Sequence, residues 1–503
     1  MLTAATSTNA TASTAATSTN ASTAGAATSA TTTNAATTAP TTPTTPATPT
    51  AVTGATAPVS TSTTSASTTS ASTTSASTTS ASTTTSASTT SASTTSASTT
   101  TSASTTSAST TFAAAVDLTD PGLWARPGTP ALVAELRREA PVHRTDTVDD
   151  GPVWSVLTYR ESADVLRNAA AFSSESGSLL GSGEGKVPVG SGRMMALTDP
   201  PRHRELRAPA NPFFSKGGVR GAARSIAERA GELFDRAVEQ GEVDLVDVVS
   251  ALPLAVMCDL LDVPETDRDM VVRVCDTAFL GRTPEERRAG HQQLIPYLLH
   301  QVMLRRTDPR DDLISMMATY RVGGRLLPVE DVVLNLDNIV VGGVQTVRHT
   351  AAMGLHTLVQ RPDLWRMLQR GEVSLDSAVD ELLRWTSVGL HTLRTATRDI
   401  ELGGQRIRRG DRVAVWVWSA NRDPEAFDRP EEIRLDRSPN KHLALGLGAH
   451  YCIGAPLAKA ELSALYSAAL EKTSLIEPAG PVRHNRSIIN FGLDHFPVRL
   501  IPR

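Results

Sequence analysis

The chain has 503 residues, with 48 Lys and Arg against 52 Asp and Glu and a net charge of −4, a balance that argues against general nucleic-acid binding. Its three cysteines, Cys258, Cys275 and Cys452, form no Cys-x-x-Cys pair, so zinc and dithiol readings are weak and a reducing compartment fits. No run is apolar and long enough to span a bilayer, and the start lacks the basic and apolar regions of a signal peptide, so the sequence predicts a cytoplasmic protein without a membrane anchor.

Residues 1–116 carry no charged side chain. They are almost entirely Thr, Ser and Ala, and from Ser65 to Thr111 the unit Ser-Ala-Ser-Thr-Thr repeats with an extra Thr at 85 and 101. Such a tract has too little apolar surface to offset chain entropy, and disorder is expected. It reads as a translated tandem repeat ahead of the domain rather than as a glycosylated stalk. Residues 117–503 hold all the charge and are expected to form the folded domain. A strand is predicted near Val153–Thr158, then a Gly/Ser-rich loop over Phe172–Gly192. Helices follow over Val219–Gln240, where Ile226, Ala230, Leu233 and Val238 share a face, over Val246–Leu261 and over Val332–Gln360. Ile400–Val417 reads as short strands turned at Gly403-Gly404 and Arg409-Gly410-Asp411. Ala455–Leu470 reads as a last helix. The predicted fold class is mainly α with a small β-sheet region.

The segment Gly446-Leu447-Gly448-Ala449-His450-Tyr451-Cys452-Ile453-Gly454 places one cysteine in a glycine-rich loop ahead of that last helix. Backbone N–H groups at a helix start favour a thiolate, the glycines allow close approach of a flat ligand, and such a thiolate suits haem iron. His203 and Arg207 stand four apart, on one helix face that suits a carboxylate. Gly342-Gly343-Val344-Gln345-Thr346 lies inside the long apolar helix, where each glycine costs about 1 kcal/mol relative to Ala and permits a local distortion. Glu381 and Arg384, three apart, can pair. Taken singly, each has a plainer reading: a buried structural thiol, a solvated helix face, a threonine bonded back to its own helix, and a surface ion pair.

Taken in order, these segments resemble the cytochrome P-450 family of haem-thiolate monooxygenases, in its soluble bacterial type, from about residue 117 to the end. The resemblance implies haem b between a long central helix and the loop that bears its ligand, Cys452. Gly446, Gly448, His450 and Gly454 would shape that loop, and His203, Arg207, Arg394 and His442 would hold the propionates. Thr346 matches the threonine that orders water for proton delivery to dioxygen. Gln345 stands where the family carries Asp or Glu, and it cannot titrate near neutral pH. Glu381 and Arg384 match a buried network that supports the loop, with Arg437 as third partner. Leu445 replaces a Phe beside the thiolate, and Ile433 stands where Phe is frequent. The same resemblance places Leu179, Leu180, Ile339, Val340, Gly343, Val388 and Leu390 against substrate.

The activity so implied is insertion of one oxygen atom from dioxygen into an organic substrate, by hydroxylation or epoxidation, in tailoring a specialised metabolite. Neither a flavin nor an iron–sulfur segment is present, so NAD(P)H-derived electrons are expected through a ferredoxin and a ferredoxin reductase. Lys459 is a candidate contact for such an acidic partner. The substrate is a small or carrier-tethered molecule, and the protein a monomer. Gln345 keeps open a peroxide-driven, coupling or desaturating haem-thiolate enzyme. A non-catalytic haem protein that binds a ligand is the other alternative, which Thr346 argues against. A haem-free cysteine hydrolase is more distant, since no Cys–His–Asn pattern accompanies Cys452.

Overall fold

The computed structural model describes residues 116–503, apart from 148–149, 182–187 and 281–283. The expected low-complexity tail, but for Val116, therefore lies outside the described residues. Val142–Thr147 (β1) and Gly151–Val156 (β2) form a hairpin, followed by helix α1, Tyr159–Arg167. Phe172–Ser173 (β3) opens the Gly/Ser-rich segment, and Arg202–Arg207 (α2) closes the stretch after it. Helix α3, Lys216–Gln240, starts at Ser215, whose side chain accepts from the Gly218 N–H at 3.1 Å. Helix α4, Leu245–Leu260, starts in the same way at Asp244.

Helix α5, Val329–Gln360, runs unbroken for 32 residues. Val332, Leu336, Val340, Val344, Val347, Ala351, Leu355 and Leu358 give it an apolar stripe at helical spacing, buried in the main core. The helix continues without a break through Gly342-Gly343, where the sequence permits a local distortion. Helix α6, Leu375–Thr386, is capped by Ser374 and ends at Ser387, whose φ is +40°. Strands β4 (Thr392–Ala396), β5 (Ile400–Leu402), β6 (Gln405–Ile407) and β7 (Arg412–Val415) follow. Helix α7, Ala455–Lys472, packs on α3 and α5. Arg483–His484 (β8) and Leu493–His495 (β9) form a late hairpin.

The main sheet has the order β1-β2-β7-β4-β3. Strand β7 runs parallel to β2 and antiparallel to β4, with Val413 opposite Arg394. Alternation along β4 sends Leu393 into a core cluster with Trp416 and turns Thr392 and Arg394 the other way, toward a cavity. Among the described residues, no helix is long and apolar enough to cross a membrane.

Candidate active site

The cysteine loop is fixed at both ends. The Leu443 N–H donates to Asn421 Oδ1 at 2.7 Å, and the Cys452 N–H donates to the Leu445 carbonyl at 2.8 Å. Gly446 and Gly448 adopt φ of +72° and +75°, and a Cβ on Gly448 would stand 2.6 Å from the Leu166 carbonyl of α1. Gly454 caps α7, with Pro456 in the first turn. The Gly454 N–H donates toward the Cys452 sulfur. Burial pushes this thiol up, and the Gly454 N–H and the Arg207 charge partly offset it. The helix start thus works as expected but does not outweigh burial in the protein alone.

Behind the loop, Arg384 donates through Nε and Nη2 to both oxygens of Glu381, each at 2.8 Å, and through Nη1 to the Asn421 carbonyl at 2.8 Å. Arg437 Nε lies 3.0 Å from Glu381 Oε2. The Glu381 and Arg384 side chains are fully buried. The pair is therefore a shared clamp on the chain around Asn421 and Pro430, and the surface-pair reading fails. Ile433 is buried in the main core beside this clamp, and Leu445 packs partly buried against it.

A cavity of about 400 Å³ faces the loop. The loop gives it Gly446, Leu447, His450, Tyr451 and Ile453, whereas Cys452, half-buried between Tyr451 and Ile453, is not itself among the lining residues. Helix α5 gives Asn338, Val341, Gly342 and Thr346, one stripe at three- and four-residue spacing. His203 and Arg207 of α2 and Arg394 of β4 also line it. The His203 and His450 ring centroids lie 4.3 Å apart, and His450 Nε2 is 3.2 Å from Ser174 Oγ. Burial lowers both histidines, His450 to about 3, with the Arg394 charge next for His450 and the Arg207 charge next for His203.

The cytochrome P450 family model matches residues 299–486. Cytochrome P450 NovI of Streptomyces niveus is 32% identical over 391 residues, covering 76% of this chain and 96% of NovI. Linalool 8-monooxygenase of Pseudomonas putida is 30% identical over 409 residues, covering 77% and 99%. The crystal structure of P450 OxyD superposes with a TM-score of 0.72 at 32% identity, over 77% of this chain and 100% of OxyD. The chain belongs to the cytochrome P450 family. It is a haem-dependent monooxygenase with the P450 fold.

The residues of this P450 fit a haem. Arg394 is 4% exposed and among the described residues donates only to Thr392 Oγ1 and the Leu393 carbonyl; burial lowers it to about 10 against the raising charge of Asp199, with which it forms no ion pair. Arg207, half-buried and also lowered by burial, has no ion pair among the described residues. His203 Nδ1 is buried without a hydrogen-bond partner among the described residues. Buried cations without counter-ions cost several kcal/mol, so a cavity with this donor set calls for anions such as the two propionates of haem.

Several expectations are corrected. His442 does not face the cavity. Its Nε2 stands 3.5 Å from Asp380 Oδ1, because that carboxylate on α6 draws both His442 and Lys459. The Lys459 charge is thereby paired. Of the seven residues placed against substrate, only Leu179 lines the cavity. Ile339 and Val340 turn into the main core, one step round α5 from Asn338 and Val341. Gly343 faces α4, where a Cβ would stand 2.5 Å from Met257 Cε. Leu180 and Leu390 are buried in a second core cluster and Val388 is buried too, while Gly389, His391 and Thr392 meet the cavity. Gln345 is buried, is absent from the lining, and leaves its Nε2 without a partner. Met195, Asn338, Ile489 and Asn490 line the cavity and were not foreseen. Helical register would have found Asn338, but nothing local in the sequence marks Ile489 or Asn490.

Proposed function

We propose that this P450 inserts one atom of dioxygen into an apolar organic substrate by hydroxylation or epoxidation, with Cys452 as the proximal ligand of haem b. The carrying observation is a cavity that joins the Cys452 loop to Arg207 and Arg394, neither with an ion pair among the described residues, and to one face of the long helix. Haem, when bound, supplies the activation of dioxygen. Arg207, Arg394 and His203 would hold its propionates, His450 packs on His203, and Gly448 lets the loop approach α1 closely. His442 supports the loop from outside through Asp380.

Leu179, Met195, Ala196, Val341 and Ile489 give substrate an apolar surface and exclude water. Thr346 Oγ1 donates to the Gly342 carbonyl at 2.7 Å. That bond consumes its proton inside the helix, and its lone pairs remain to accept from a water or from substrate in the cavity. Electrons derive from NAD(P)H through a ferredoxin and its reductase. OxyD is involved in the biosynthesis of vancomycin-type antibiotics, and this likeness supports a specialised metabolite as substrate. Turnover under isotopically labelled dioxygen with a ferredoxin–reductase pair tests the reading: one labelled oxygen per product is expected, and unlabelled product overturns it.

Gln345 favours a second reading. The residue before Thr346 is buried and cannot titrate, so a peroxide-driven reaction needs no carboxylate there. Product from hydrogen peroxide alone, equal to that with dioxygen and reductase, would establish it.

A further inference from the structure

The cavity has three walls drawn from distant parts of the chain. Ser178 and Leu179 form one, Gly389, Thr392 and Arg394 the second, and Ile489 and Asn490, in the turn between β8 and β9, the third. Backbone bonds join them two at a time: the Leu393 N–H donates to the Ser178 carbonyl at 2.7 Å, and the Phe491 N–H to the Val388 carbonyl at 2.8 Å. One side chain spans all three. His391, on the second wall and 3% exposed, accepts from the Leu180 N–H through Nε2 at 2.9 Å, and its Nδ1 lies 3.1 Å from the Ile488 carbonyl. Among the described residues it is the one side chain bonded to both other walls. Its two partners, a donor and an acceptor, place the ring proton on Nδ1. Its ring lies 5.3 Å from that of Trp416, which seats it on the sheet.

We propose that His391 is a positioning residue that sets substrate size: the neutral imidazole fixes the spacing between the 178–180 segment and the 488–490 turn, and with it the bulk of the ligand the haem cavity admits. This rests on the cavity being the haem site. Burial keeps the ring neutral, with its pKa lowered to about 4, so the strut holds throughout the physiological range. Loss of both bonds leaves the 178–180 segment and the 488–490 turn each held to the second wall by its backbone bond but no longer to one shared side chain, so their spacing can change, while the cysteine loop, fixed by Asn421 and the Glu381 clamp, stays in place.

The test uses the haem-loaded full-length chain and two probes that bind iron through the same nitrogen, imidazole and 1-phenylimidazole, titrated by optical difference spectra. His391→Phe keeps a ring on Trp416 and removes both bonds. His391→Asn keeps a donor for Ile488, and His391→Gln keeps an acceptor for Leu180. The 1-phenylimidazole dissociation constant is expected to move about tenfold in His391→Phe and by less in the two amide variants. Imidazole affinity and the carbon monoxide band of the reduced protein stay as in the parent. The proposal is overturned if both probes move together, or if neither moves. Should His391→Phe fail to load haem, the amide variants decide by the same ratio of the two probes. Failure of the parent to bind imidazole would instead count against the haem reading itself.

Discussion

Thr346 and Gln345 are adjacent in the chain and differ in what they reach. Thr346 borders the cavity with its hydroxyl held by Gly342, and Gln345 is buried without lining it. Thr346→Ala is expected to keep the haem spectrum and to lower product per dioxygen consumed severalfold, with hydrogen peroxide making up the difference. Unchanged coupling would remove Thr346 from the proton path. A second residue makes a pH-dependent claim. Glu461 of α7 is 2% exposed, has no ion pair among the described residues, and is pushed by burial from 4.5 to about 8. Its folded pKa lies above its unfolded value. The cost is therefore absent below the unfolded pKa of about 4.5, and grows as pH rises toward 8. Glu461→Gln should stabilise the protein by on the order of 3 kcal/mol at neutral pH and by little at pH near 4.5. Thermal unfolding across that range would contradict this if the gain were constant.

Elements meet tightly where α5 crosses α7. A Cβ on Gly354 would stand 2.1 Å from the Tyr466 hydroxyl, which donates to the Thr350 carbonyl at 3.0 Å and belongs to a fully buried ring. Gly354→Ala should cost about 1–3 kcal/mol by overpacking, and adding Tyr466→Phe should recover part of it. A double-mutant cycle with no coupling would place the strain elsewhere. Elements also set how far the sequence could be read. Helices α3, α4 and α5 were legible to within a few residues from their apolar spacing, and α7, buried on most of its circumference, from the Gly454-Ala455-Pro456 start and its apolar run. The cysteine loop, the His203/Arg207 pair and the Glu381/Arg384 pair were legible as constellations because each sets fixed residue types at short spacing, whereas Arg437, 56 residues from Glu381, followed only from the resemblance. Substrate contacts were not. Which way Ile339 or Val341 faces depends on the rotation of α5 against α4, and a one-residue error turns each side chain about 100° round a helix. His442 failed for a related reason: Asp380, distant in sequence, competes for it.

At the scale of the whole molecule, the parts of the candidate site come from across the described chain. The 178–180 segment, α2, α5, β4, the β8–β9 turn and the cysteine loop all meet at one cavity. The described structure is closed at its start by Val116 and Leu118, which pack in the cluster with Trp124 and Trp416. A chain beginning at residue 116 is therefore expected to keep the thermal midpoint and haem content of the full chain, and a loss of either would give the low-complexity segment a structural role. The most direct measurement of the central claim is the carbon monoxide difference spectrum of the reduced protein. The parent should show the red-shifted band of thiolate-ligated haem, and Cys452→Ala should lose it. A parent without that band, or a Cys452→Ala variant that retained it, would contradict ligation by Cys452.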